Sequence, residues 1–127
     1  MNIPVDLKYT KEHEWIKLEG DNIAIVGITD YAQGELGDIV YVEIETIGQE
    51  LDQNAVFGTI EAVKTVSDLY LPVSGKIIEL NESLSNEPET VNSDPYDKGW
   101  LIKMELSNPD DLNDLLSAEQ YGELINA

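Results

Sequence analysis

One lysine, Lys64, stands between two runs of β-forming residues, in Gly58-Thr59-Ile60-Glu61-Ala62-Val63-Lys64-Thr65-Val66-Ser67-Asp68-Leu69-Tyr70-Leu71-Pro72-Val73-Ser74-Gly75. On a tight hairpin turn the flanking strands would fix its backbone while the four-carbon stem stayed free. Taken alone, that placement reads as an ordinary exposed lysine at a hairpin tip. Other reactive residue types are sparse. With no cysteine there is no thiolate nucleophile, disulfide framework or thiolate metal site. The single histidine, His13, lies between Glu12 and Glu14, and nothing in the sequence pairs it with a serine as a nucleophilic triad requires. It reads as a local surface or packing residue. Carboxylate pairs abound, but a chain this acidic places them on a solvated face by chance. The glycines lack the spacing of a phosphate loop. No catalytic residue and no metal site is expected.

Twenty-six Asp and Glu face seven basic residues, all lysine, for a formal charge of −19. Nucleic acid is a poor partner for such a surface, because phosphate binding needs clustered Lys and Arg. Anionic membranes are disfavoured for the same reason, whereas basic patches on partner proteins are favoured. No apolar run approaches the ~20 residues of a membrane span. Met1 to Thr10 shows neither a hydrophobic signal core nor an Arg-rich transit pattern. A soluble cytoplasmic protein is expected, with a processed mitochondrial form as the second choice. The length fits a single domain, 1–127, and the 42% hydrophobic content is that of a globular one.

The elements that must position Lys64 are mostly of period two. Val40, Val42 and Ile44 alternate with Tyr41 and Glu43, and Trp100, Ile102, Met104 and Leu106 alternate with Lys103 and Glu105. Shorter strands are read at Trp15–Leu18, Ile23–Ile28, Val56–Ala62, Val66–Leu71 and Lys76–Leu80, separated by turn residues such as Gly20-Asp21-Asn22 and Pro72-Val73-Ser74-Gly75. Three helical pieces are predicted. Thr29 to Leu36 has a capping threonine and a stop at Gly37; Asn108-Pro109-Asp110-Asp111 opens a second; Ser117 and Gln120 have capping-box spacing for a third. The last two form C-terminal helices over about 109–126. Asn81 to Asp97, with Pro88 and Pro95, reads as a long loop. Many short strands with frequent turns give a mainly β barrel or sandwich.

Glu61-Ala62-Val63-Lys64 followed by Asp68-Leu69-Tyr70-Leu71-Pro72-Val73-Ser74-Gly75 resembles the lipoyl-attachment segment of the glycine cleavage system H proteins. The likeness extends to Leu7-Lys8-Tyr9-Thr10-Lys11-Glu12-His13-Glu14-Trp15, to Val26 through Gln33 with Leu36 through Val42, to Asn92-Ser93-Asp94-Pro95-Tyr96 with Gly99 through Lys103, and to Leu115 through Tyr121. It covers nearly the whole chain in order.

The resemblance implies a lipoyl-type barrel-sandwich hybrid with short helices, including a C-terminal helical segment, and Lys64 on the hairpin turn. It implies lipoate in amide linkage to Lys64, in a non-catalytic and monomeric carrier. The carrier would take the aminomethyl group of glycine from a pyridoxal-phosphate glycine decarboxylase to a tetrahydrofolate-dependent aminomethyltransferase. Its dithiol would then be reoxidised by the FAD enzyme dihydrolipoamide dehydrogenase. A lipoate ligase or a lipoyl or octanoyl transferase would attach the arm, with Glu61 and Gly75 as recognition or turn residues. Glu14, Asp68 and Glu12 match acidic positions of a cleft that shelters the loaded arm, where carboxylates would hold a cationic amine by charge-assisted hydrogen bonds. Each also has a plainer reading, as a turn, capping or surface residue.

Three rivals keep or change the fold. A biotin carrier usually sets its lysine between methionines, whereas Lys64 lies between Val63 and Thr65. Lipoyl domains of 2-oxoacid dehydrogenases usually have Asp before the lysine and Ala after it. A hydrolase using Glu14 with Asp68 would need turnover by the unmodified chain. A lipoate relay to other lipoyl domains is a fourth destination for the same carrier.

Overall fold

The computed structural model describes residues 2–126. Among them the chain order is β1 (Lys8–Tyr9), β2 (Glu14–Leu18), β3 (Ile23–Ile28), α1 (Asp30–Leu36), β4 (Ile39–Glu43), β5 (Glu50–Leu51), β6 (Val56–Ala62), β7 (Val66–Tyr70), β8 (Gly75–Leu80), α2 (Thr90–Ser93), β9 (Ile102–Leu106) and α3 (Ala118–Leu124). Short 3₁₀ turns at Glu82–Ser85 and Pro109–Asp114 complete it.

The strands form two antiparallel sheets. One has six strands in the order β1-β2-β3-β9-β8-β5, the other three in the order β4-β6-β7. Alternation decides which side chains meet between them. Ile16, Val26 and Met104 from the larger sheet and Phe57, Ile60 and Leu69 from the smaller are all buried in one core. A second cluster, Leu7, Tyr9, Trp15 and Tyr121, lies under α3. The mainly β class, with two sheets and short helices, is the architecture the sequence implied.

Several boundaries follow the sequence closely. Thr29 caps α1 by accepting the Ala32 N–H, and Gly37 closes it at φ +81°. Its ψ of −156° puts Gly37 in a region that is essentially glycine-only. Ser117 and Gln120 complete a reciprocal capping box for α3.

Elsewhere tertiary geometry overrides the local pattern. Val40 points to solvent instead of the core, because a register shift between Ile39 and Tyr41 breaks the alternation of β4. Trp100, read as part of the alternating strand, precedes β9 and packs with the second cluster, while the adjacent Leu101 is fully buried. The segment read as a loop after Asn81 holds a 3₁₀ turn, capped by the Asn81 side chain, and α2. Pro88 stands just ahead of α2, where a proline is compatible with helix entry. The two-residue strands β1 and β5 were too short to show a period.

Candidate functional site

Lys64 sits in the turn between β6 and β7, which pair antiparallel with Glu61 opposite Val66. The Ala62 N–H donates to the Thr65 carbonyl at 2.8 Å, leaving Val63 and Lys64 as the tip. A second anchor comes from outside the hairpin, since the Val63 N–H donates to the Asp38 carbonyl at 2.9 Å. The exposed Lys64 stem leans on Gly37, where a β-carbon would lie only 3.3 Å from Cε of the lysine. Gly37 is itself pinned. Asn92 donates to the Gly37 carbonyl at 2.8 Å and to Gln33 Oε1 at 3.0 Å, and its own oxygen accepts the Ile39 N–H at 2.9 Å. A free side chain thus stands on a fixed base.

Beside that base runs a cleft of about 280 Å³. One wall is α1, with Tyr31, Ala32, Glu35 and Leu36; the other is β7, with Ser67, Asp68 and Leu69. Glu12, His13 and Glu14 line it as well, and Ile28 and Ile60 are among its apolar surfaces. β7 is an edge strand of the smaller sheet, so alternate backbone groups face away from β6 toward this gap. The Tyr70 N–H is one of them, and it donates to Oε2 of Glu14 at 2.8 Å.

Glu14 is the unusual member. It is 2% exposed, and its other oxygen receives a bond from Thr10 Oγ1 at 3.3 Å. Among the described residues its carboxyl has no ion-pair partner. Burial pushes its pKa up to about 8 against the opposing effect of the Tyr70 and Thr10 hydrogen bonds. Burial therefore favours its protonated, neutral form near neutral pH. Glu12 and Asp68 are exposed and remain in contact with solvent.

The structure brings Glu12, Glu14 and Asp68 to the same cleft from two separate elements, with Lys64 at its side through Gly37. It does not bring Glu61 or Gly75 there. Glu61 is exposed in the row Tyr41–Glu61–Val66 across the smaller sheet. Gly75 begins β8 in the larger sheet, beyond the far end of β7 from the turn. A β-carbon on Gly75 would meet the Glu105 carbonyl oxygen and come within 2.6 Å of Met104 Cε, so close strand packing explains that glycine. Sequence reasoning missed the parts played here by Thr10, Asn92 and the Tyr70 N–H, none of which has a motif of its own, and it read Gly37 only as a helix stop.

Residues 7–127 match the sequence profile of the Glycine cleavage H-protein family. The chain belongs to that family. A glycine cleavage system H protein from Bacteroides fragilis is 60% identical over 127 residues, covering 100% of both chains. The one from Symbiobacterium thermophilum is 59% identical over 120 residues, covering 94% of this chain and 93% of its own. In three dimensions, the crystal structure of a glycine cleavage system H protein from Mycobacterium marinum superposes with a TM-score of 0.90 at 36% identity, covering 98% of this chain and 100% of that one. Membership in the H-protein family therefore takes in both sheets, the Lys64 hairpin and α3.

Proposed function

We propose that this chain is the lipoyl carrier of glycine cleavage, with lipoate in amide linkage to Nζ of Lys64, and that it catalyses no step itself. The observation that supports this most directly is an exposed lysine on a doubly anchored turn, its stem laid over Gly37 beside a cleft lined by four carboxyl groups, those of Glu12, Glu14, Glu35 and Asp68. Ile28, Ala32, Leu36, Ile60 and Leu69 suit the hydrocarbon chain and sulfur ring of such an arm. Glu12, Glu14 and Asp68 suit an amine carried at its end. When bound, lipoate supplies a disulfide that opens to hold the aminomethyl group of glycine and is afterwards restored by oxidation.

The chain's own residues orient and shelter. The turn and Gly37 set the direction in which the arm leaves the surface. Amide formation removes the lysine charge, taking −19 to −20. A cationic amine seated against Glu14 favours its carboxylate, and the displaced proton passes to solvent, so the negative charge forms where the cation needs it. The acidic surface steers the carrier toward basic patches on glycine decarboxylase, the aminomethyltransferase and dihydrolipoamide dehydrogenase. Tethering then presents one arm to each enzyme in turn at high local concentration. Glu61, exposed three residues before Lys64, is placed for contact with the lipoate ligase or the lipoyl or octanoyl transferase. No helix among the described residues is long and apolar enough to cross a membrane, and we place the carrier in the cytoplasm as a monomer.

Intact-mass analysis of the protein from cells supplied with lipoate tests the reading. A lipoyl increment on Lys64 is expected. A biotin increment, or an unmodified chain that a purified lipoate ligase also fails to modify, would refute it.

A further inference from the structure

α3 contributes nothing to the lining of the cleft, yet one of its side chains is bonded to two elements that form it. Tyr121 is fully buried and stacks on Tyr9 with ring centroids 4.9 Å apart. Its hydroxyl lies 2.8 Å from Nδ1 of His13 and 2.7 Å from Oγ1 of Thr29. His13 lines the cleft next to Glu14, and Thr29 caps α1. The two are also joined directly, since the Thr29 N–H donates to the His13 carbonyl at 3.0 Å.

Thr29 Oγ1 accepts the Ala32 N–H at 3.1 Å and keeps its own proton and a second lone pair, so either hydroxyl can donate in the Thr29–Tyr121 bond. Where Thr29 donates to Tyr121, Tyr121 donates in turn to Nδ1 of His13, and the imidazole is then neutral with its proton on Nε2. Burial lowers the pKa of His13, which favours the neutral imidazole.

His13 needs such holding. Its φ of +69° is uncommon for a residue other than glycine. The turn around it closes on itself: the His13 N–H donates to the Thr10 carbonyl at 3.1 Å, the Thr10 N–H to the Glu14 carbonyl at 3.0 Å, and the Glu14 N–H to Thr10 Oγ1 at 3.2 Å. That turn directs Glu14 inward at the start of β2.

We propose that Tyr121 is a positioning residue for the cleft: its hydroxyl, clasped between His13 and Thr29, holds the strained Thr10–Glu14 turn so that the Glu14 carboxyl faces the carried amine. The role of the carried amine rests on the carrier reading above, whereas the clasp itself belongs to the unmodified chain. α3 spans seven residues, too few to persist undocked, and it is secured by its capping box and by the pairing of Tyr9 with Leu116. Its docking and the geometry of the cleft are therefore linked, so tightening either tightens the other.

Tyr121→Phe keeps the ring and its stack and removes only the hydroxyl. In the unmodified chain, nitrogen NMR of His13 should show Nδ1 as a hydrogen-bond acceptor in the wild type and a mixture of tautomers in the variant. Carboxyl-carbon NMR should show the Glu14 titration moving toward the ordinary glutamate range. Unchanged His13 and Glu14 signals would overturn the proposal. A second arm uses chain shown by mass to carry the lipoyl group; failure at that step would refute the carrier reading and leave the clasp untouched. Its reduced arm is loaded with formaldehyde and ammonia, a thiol giving S–CH₂–NH₂ and water, and loss of the load is followed by mass. Losing one hydrogen bond of the clasp should shorten the lifetime of the load about fivefold, and equal lifetimes would overturn the proposal. If Tyr121→Phe fails to fold, Thr29→Ser should keep the wild-type lifetime and Thr29→Val should shorten it; equal lifetimes in that pair count against the clasp in the same way.

Discussion

Replacing Glu14 by glutamine should stabilise the unmodified protein, and by an amount that grows with pH. The carboxyl is almost completely buried, receives bonds from Tyr70 and Thr10, and has no ion-pair partner among the described residues. Its pKa is raised from 4.5 to about 8 by burial. Below 4.5 the folded and unfolded chains both hold the proton, and the group costs nothing through ionisation. As pH rises from 4.5 to about 8 the unfolded chain gives up the proton while the folded one keeps it, so stability falls steadily across that interval. Above 8 the full cost is in place, on the order of 4–5 kcal/mol for a displacement of that size.

Glutamine has the same shape, can accept the Tyr70 N–H and can donate to Thr10, and it does not titrate. Other groups, including His13, titrate alike in both proteins and cancel in the difference. Urea unfolding of wild type and Glu14→Gln at a series of pH values therefore isolates the carboxyl. The two stabilities should nearly coincide below 4.5 and diverge progressively up to about 8, with the variant the more stable. Parallel curves would mean that Glu14 ionises as an ordinary surface glutamate, and the account of the cleft built on its burial would fall. In the lipoylated, aminomethyl-loaded carrier, Glu14→Ala should leave lipoylation intact and speed hydrolysis, and unchanged hydrolysis would remove Glu14 from the shelter.

Three further outcomes are expected. Lys64→Arg retains a cation but cannot form the amide, so it should show no lipoyl increment and abolish glycine-dependent carbon dioxide release in a reconstituted system; release at the wild-type rate would refute the carrier. Gly75→Ala forces a methyl group against the Glu105 carbonyl and Met104, which should destabilise the fold by about 1–3 kcal/mol in denaturant titration. Folded Gly75→Ala protein should still be lipoylated normally, and a lost modification at unchanged stability would restore a recognition role. Glu61→Ala changes an exposed residue, so the fold should be untouched while the initial rate of lipoylation drops; modification at the wild-type rate would rule Glu61 out as a ligase contact.

The strands were legible wherever a period could run for five or more residues, and β3 and β6 begin and end where the pattern does. Caps were legible because Thr29, Gly37, Ser117 and Gln120 act within one turn of their own position. Lys64 was legible as a candidate because its whole neighbourhood has a recognisable order. What could not be read are relations between distant residues. Asn92 reaches Gly37 across 55 positions, and Tyr121 reaches His13 across 108. Glu14 reads as one acid among 26; only the closing of α1 and β7 around it makes it a buried one.

The departures from local rules are not scattered. Val40 leaves the alternation at a bulge whose neighbours pair with Ala62 and Glu61, directly ahead of the Lys64 turn. Gly37, under the lysine stem, has a backbone that no other residue type adopts easily. His13 takes a positive φ one residue before Glu14, and Glu14 is buried with no ion-pair partner among the described residues. Each of these departs from what local pattern alone would choose, and they lie at the base of the Lys64 turn or at the cleft beside it. A fold under no other demand would relax them singly, by a straight β4, a glycine at 13 or a glutamine at 14. Their grouping around that turn and cleft is explained if the cleft must seat something long, attached at Lys64 and positively charged at its far end.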